Sequence, residues 1–145
     1  MSARLQHYFA EYDRYHTTRG NEFCHYLGIP LIILALLGML RHVALGAGLN
    51  VGLLLLVAAF LFYLTLSPRL ALAMLLVSAG LYALSLWLTL ALAAGVFVVG
   101  WILQFVGHGV YEKRAPAFLG NLVHLMVGPL WILNRALRLE KAGRQ

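Results

Sequence analysis

Cysteine is almost missing from this 145-residue chain. The single thiol, Cys24, excludes an internal disulfide and any cysteine-built zinc or iron–sulfur centre. Charge is scarce as well: Asp, Glu, Lys and Arg supply 11% of the residues, against roughly 25% in an average soluble domain. Acidic residues number only five, against eleven basic ones. The familiar signatures of soluble catalysis are missing too: there is no HExxH, no Walker loop, no GxSxG and no glycine-rich dinucleotide turn. The polar 22-residue start lacks a small-residue cleavage site, so no signal peptide is expected.

What fills the chain is apolar. Hydrophobic residues make up 62%, and 42 consecutive residues between Arg69 and Glu112 carry no charge. A membrane span needs about 20 apolar residues, so that run alone accommodates a two-helix hairpin. Further charge-free stretches cover Phe23–Leu40, His42–Pro68 and Ala115–Asn134. The fold class expected is all-α: one integral membrane domain over residues 1–145, a four-helix bundle spanning at 26–42, 47–66, 70–88 and 91–108. Pro30 falls near the start of the first span, Gly46 and Gly48 loosen the first turn, and Ser67-Pro68-Arg69 marks the second. Nothing polar marks the third. Two segments are not expected to span. Residues 4–16 set Leu5, Tyr8, Phe9, Tyr12 and His16 at helical spacing, which reads as an interfacial amphipathic helix whose aromatics form a belt. Residues 117–134 hold Asn121, His124 and Gly128-Pro129, and read as a broken, re-entrant or interfacial helix.

Basic residues choose the orientation. With both termini cytoplasmic, ten lie inside (Lys141 and Arg144 among them) and only Arg41 outside. The net charge of +6 is explained by that asymmetry and by contact with anionic lipid, so no nucleic-acid partner is expected.

Against this background the histidines stand out. Alternation of the spans brings His16, His25, His108 and His124 to the same side. Thr17-Thr18-Arg19-Gly20 breaks the first helix and Asn21 is placed to cap the next, which lets His16 fold back towards His25. His108 and Glu112 are one helical turn apart. Ionisable groups at membrane depth are expensive and therefore functional candidates. Neutral imidazole suits iron, zinc, copper and nickel, and the lack of thiolates favours oxygen-type iron chemistry over structural zinc. A set of two histidines with Glu112 or Glu22 remains an alternative, and Glu112, Asn121, Gln104, Tyr12 or Glu22 could orient ligands or bind a substrate head group. A metal or solute transporter would want polar groups at mid-membrane, where the later spans offer only Thr65, Ser78, Ser85 and Thr89. A non-catalytic membrane scaffold is the other alternative.

The runs Tyr12…His16…Asn21…His25-Tyr26-Leu27-Gly28-Ile29-Pro30 and Gln104-Phe105-Val106-Gly107-His108…Glu112-Lys113-Arg114-Ala115-Pro116-Ala117, with Asn121, resemble the 2-hydroxy fatty acid dioxygenase family across nearly the whole chain. The resemblance implies an iron(II)-dependent α-oxidation in which dioxygen and a 2-hydroxy fatty acid give a fatty acid one carbon shorter, with zinc a possible substitute ion. It points to His16, His25 and His108 as essential, with Glu112 and Asn21 beside them; the expected metal ligands are His16, His25, His108 and His124. Arg19, Lys113 or Arg114 are expected to attract the carboxylate. The Leu/Ala/Arg-rich composition suggests a bacterial inner membrane, or the endoplasmic reticulum in a eukaryote.

Overall fold

A computed structural model describes residues 1–140; Lys141 and Arg144, counted above in the charge asymmetry, lie outside the described residues. Six α-helices make up most of it: α1 (Ala3–Arg14), α2 (Arg19–Leu40), α3 (Val51–Leu64), α4 (Pro68–Ser85), α5 (Leu90–Val106) and α6 (Val123–Leu137). A π-helical turn, Gly107–Glu112, continues α5. The chain is not wholly helical, because β1 (Ala44–Gly46) and β2 (Leu49–Asn50) pair as a small antiparallel hairpin between α2 and α3. Gly46, Ala47 and Gly48 turn it with positive φ, a conformation open to glycine without steric cost.

Side-chain caps set the helix starts. Ser2, Thr18, Asn50, Ser67 and Thr89 each accept a backbone N–H from the first turn of their helix. Two of these change the expected boundaries. Thr18, not Asn21, caps α2, so the helix begins seven residues earlier than expected and Pro30 lies within it rather than near its start. Thr89 supplies the polar mark for the third turn. At the far end of the chain, α6 runs through Gly128 and Pro129 as one continuous helix, so it is not broken there.

Three segments are long and apolar enough to cross a membrane: Arg19–Leu40, Pro68–Ser85 and Leu90–Glu112. The helix in place of the expected 47–66 span, α3, has 14 residues, because the hairpin takes up the residues before Val51. At about 1.5 Å per residue it is roughly 21 Å long, short of the ~30 Å hydrocarbon core. Leucines on the outer faces of α3, α4 and α5, among them Leu54, Leu61, Leu72, Leu76 and Leu92, are exposed, as lipid-facing residues are.

The tightest seam joins α2 and α5, which run antiparallel. Gly28 and Gly100 bring the two backbones together: a Cβ at Gly100 would meet Ile32 Cγ1 at 2.7 Å and the Gly28 carbonyl at 3.1 Å. Beside that seam, Leu5 of α1, Tyr63, Leu66, Leu70, Ala71 and Met74 of the α3–α4 region, and Leu130 of α6 form a buried apolar cluster. It joins α1 and α6 to the end of the bundle where α2 starts and α5 stops. Trp131 Nε1 donates to Asp13 Oδ1 at 2.7 Å, and Arg135 bonds Glu22 at 2.6 Å and lies over the Trp131 ring. These contacts hold α6 across α1 and α2.

Candidate metal centre

Helix α1 ends at Arg14 and α2 starts at Arg19, so the break falls at residues 15–18 rather than at Thr17–Gly20, and His16, expected within the first helix, lies in this link and folds back towards His25. His25 sits on α2 and His108 on the π-helical turn. All three are buried, and one nitrogen from each lies within 4.8 Å of the others. Ring centroids are 4.4 Å apart for His16–His25, 5.0 Å for His16–His108 and 4.9 Å for His25–His108.

Hydrogen bonds orient two of the rings. His16 Nδ1 lies 2.6 Å from the Tyr12 carbonyl, and His25 Nδ1 lies 3.0 Å from the Asn21 carbonyl. A carbonyl oxygen only accepts, so each Nδ1 carries the proton and each Nε2 presents a lone pair. Those two Nε2 atoms face each other at 3.0 Å. Two lone pairs at that distance repel unless a cation or a proton sits between them. Protonation is disfavoured at His16, where burial first and the neighbouring His25 second pull the pKa down to about 3. A metal ion meets the requirement. Histidine ligands typically donate their other ring N–H to a backbone carbonyl or carboxylate, as His16 and His25 do. The donor set therefore fits a metal, of a kind that accepts neutral imidazole.

Glu112 is buried beside this cluster, but its carboxylate is engaged elsewhere. It accepts from Thr17 N at 2.6 Å, Thr17 Oγ1 at 2.9 Å, Thr18 N at 2.7 Å and Thr18 Oγ1 at 3.1 Å. An anion at the start of α2 also suits the helix dipole. The result is a strap from the π-helical turn to the residue next to His16. Asn21 is fully buried: its carbonyl orients His25, its side-chain amide donates to the Tyr15 carbonyl, and Gly107 leaves room for it. Thr17 and Thr18 read in the sequence only as a helix break; their signal was the preference of threonine for helix caps.

His124 stands outside the three-histidine group. Its Nε2 is 3.5 Å from Glu11 Oε2 and its Nδ1 is buried without a partner among the described residues. Asn121 caps the start of α6 by accepting from Val123 N, at an exposed position, while Glu22 is taken up by Arg135. Tyr12 is no interfacial belt residue. It is buried, stacks on His16 at 4.0 Å between centroids, and packs against Trp131 at 5.0 Å.

The cluster opens into a cavity of about 320 Å³ that extends between the helices. Tyr12, His16, His25, Gln104, His108 and His124 line its polar end, while aliphatic residues of α2 and α3 down to Leu37 and Leu55, with aromatic side chains such as Phe97, Trp101 and Phe118, line most of the rest. From His25 to Leu37 is about 18 Å along α2 at ~1.5 Å per residue. Among the described residues, no Asp, Glu, Lys or Arg lines it. Arg19, Lys113 and Arg114, expected to draw in a carboxylate, are exposed and outside the wall. An arrangement of this kind takes an amphiphile, head at the histidines and tail among the leucines.

Comparison with known proteins agrees in kind. The family model described as 2-hydroxy-palmitic acid dioxygenase Mpo1-like matches residues 2–139. The 2-hydroxy-palmitic acid dioxygenase MPO1 of Saccharomyces cerevisiae is 36% identical over 127 residues, covering 84% of this chain and 73% of the yeast protein. No solved structure matches.

Proposed function

The chain belongs to the Mpo1-like family, and from that membership and the geometry above we propose that it is a membrane-bound, iron(II)-dependent dioxygenase that shortens 2-hydroxy fatty acids by one carbon. The observation that carries this reading is the meeting of three buried imidazoles with a long apolar cavity that, among the described residues, has no charge of its own. A carboxylate entering such a cavity would be buried unpaired, at a cost of several kcal/mol, unless a cation waited at its polar end. The histidines are placed to hold that cation.

His16, His25 and His108 hold the ion in this reading. His124, which lines the same cavity, faces the head group from α6. Bound iron supplies the activation of dioxygen. The chain's own residues do the rest. The Tyr12 and Asn21 carbonyls keep the protons of His16 and His25 on Nδ1 and their lone pairs turned inward. Glu112 fixes the link that carries His16 through four hydrogen bonds, acting as a positioning residue. Tyr12 and Trp131 close the site on the α1 and α6 side and exclude water. The aliphatic walls hold the tail. In overall balance, the hydroxy acid and one dioxygen give the shorter acid, carbon dioxide and water; the C1–C2 bond breaks, C2 becomes the new carboxyl carbon, and dioxygen is the oxidant.

We place both termini and the histidine end of the bundle on the cytoplasmic side on the strength of the basic residues, which requires the 14-residue α3 to complete a fourth crossing between α2 and α4. The test is direct. Protein loaded anaerobically with ferrous iron is mixed with 2-hydroxypalmitic acid and oxygen, and the products are read by mass spectrometry. Pentadecanoic acid formed in step with oxygen uptake, and lost in His25→Ala, is the expected result. Iron-loaded protein that binds the acid without converting it would overturn the reading.

A further inference from the structure

Helices α2 and α5 place their facing residues in layers. His25 faces His108, and one turn further from Glu112, Gly28 faces Gln104; beyond that, Gly100 faces Ile32. Gln104 is therefore the next polar group after the histidines on this wall, and beyond it the described lining is apolar apart from the polar atoms of Tyr63, Ser78 and Trp101. Its side chain is buried, with 5% of its surface exposed, and its Nε2 has no hydrogen-bond partner among the described residues. A buried amide left unpaired costs free energy, and Leu or Met would fill the same space without that cost. Gly28 makes the room: any side chain there would collide with the Gln104 amide.

The partner missing from the chain is one a ligand can bring. With the head group at the histidines and the tail among the leucines, the ligand atoms opposite Gln104 belong to the first carbons of the chain. An unsubstituted fatty acid has only methylene there. A 2-hydroxy acid has an oxygen. Resting on the substrate class proposed above, we propose that Gln104, whose Nε2 is seated against Gly28, is the specificity-determining residue for the substrate's 2-hydroxyl, its amide oxygen, the end of the group that Gly28 leaves towards the cavity, accepting from the hydroxyl. A site built to hydrogen-bond a substrate hydroxyl discriminates against the analogue that lacks it, because its own polar group is then left unpaired.

Protein loaded with zinc, which binds imidazole but performs no redox chemistry, separates recognition from turnover. Palmitic acid and 2-hydroxypalmitic acid compete with a fluorescent fatty acid for wild type and for Gln104→Met, a substitution close in length that removes only the amide. Wild type is expected to prefer the hydroxylated acid. The variant should lose about tenfold of that preference, all of it on the hydroxylated ligand, with palmitic acid binding unchanged. Its thermal stability should not fall, since an unpaired buried amide has been removed; should it fail to fold, Gln104→Leu, which also removes the amide and leaves the Gly28–Gly100 contact intact, gives the same readout. An unchanged preference in a folded variant would overturn the role of Gln104 and leave the substrate class standing. Wild type that binds the two acids equally, or neither, would overturn the substrate class and this inference with it.

Discussion

The two ends of the α2–α5 pair use polar groups in opposite ways. At the hairpin end, Arg41 Nη2 donates to the Leu88 carbonyl at 2.8 Å, tying α2 to the turn between α4 and α5, and its Nε is the one buried nitrogen left without a partner at that end among the described residues. Glycine does the packing there as well, with Gly38 against Ala93. At the histidine end the helices pack as closely, through Gly28, Gly100 and Gly107, yet beside the bonded Glu112 and Asn21 several polar groups are not spent on each other. His16 and His25 turn lone pairs together, and Gln104, His108 and His124 each keep a buried nitrogen unpartnered among the described residues. A polar group that satisfies its neighbour reports on stability. Several that are buried and left wanting around one cavity point to something that arrives from outside.

Breaking the contrast at the histidine end should give the largest effect. His25→Ala is expected to lower metal affinity by more than about 100-fold, beyond the ~10–100-fold cost of outer-shell changes. Titration calorimetry with zinc reads it, and Arg41→Ala should leave that affinity unchanged. Glu112→Gln comes next. Replacing a carboxylate that accepts four hydrogen bonds with an amide should cost ~1–3 kcal/mol of stability in detergent and weaken metal binding about tenfold, because the link carrying His16 loosens. Equal stability in the two proteins would show that the strap carries no weight.

The glycines sharpen the comparison within the membrane. Gly100→Ala pushes a Cβ into Ile32 and the Gly28 carbonyl and should cost ~1–3 kcal/mol. Gly80→Ala meets nothing within 4 Å and should be neutral or stabilising by up to about 1 kcal/mol. Reversed outcomes in unfolding titrations would mean that the α2–α5 seam is not where the bundle is tight.

The smallest effect lies at Glu140, away from both ends of the contrast. Its carboxyl is held below the usual range, first by the hydrogen bond from Ser67 Oγ at 2.6 Å and also by the amino terminus at 3.1 Å. A carboxylate more acidic in the folded state stabilises above its unfolded pKa, near 4.3, and loses that contribution as pH falls through its folded value. Glu140→Gln should therefore lower the melting temperature modestly at pH 7, by the equivalent of about 1 kcal/mol, and the gap should close towards pH 3. A gap that widens in acid would contradict the assignment.

Much of this was legible in the chain before any coordinates. Charge-free runs located the helices, and the break expected at Thr17–Gly20, though it falls at residues 15–18, foretold that His16 would fold back on His25. Long apolar runs are blunt about boundaries, however. An all-apolar helix has no polar face to show which side it buries, so the cavity along α2 could not be seen. The shortness of α3 came from a hairpin held by Gly46, Ala47 and Gly48, whose strands are too short to read from alternation. Glu112 and His108 are neighbours by spacing, but spacing cannot say that the carboxylate is consumed by Thr17 and Thr18, 94–95 residues away in the chain. His124 shared a side with the others by alternation alone, which fixes depth and not distance.

The claim on which the rest depends is that His16, His25 and His108 hold an ion between them. Elemental analysis of protein purified anaerobically with ferrous iron tests it most directly, wild type beside His16→Ala, His25→Ala, His108→Ala and Arg41→Ala. About one iron per chain in wild type and Arg41→Ala, and none in the three histidine variants, is the predicted result. Wild type that stays free of metal after iron loading, or histidine variants that keep it, would contradict the claim.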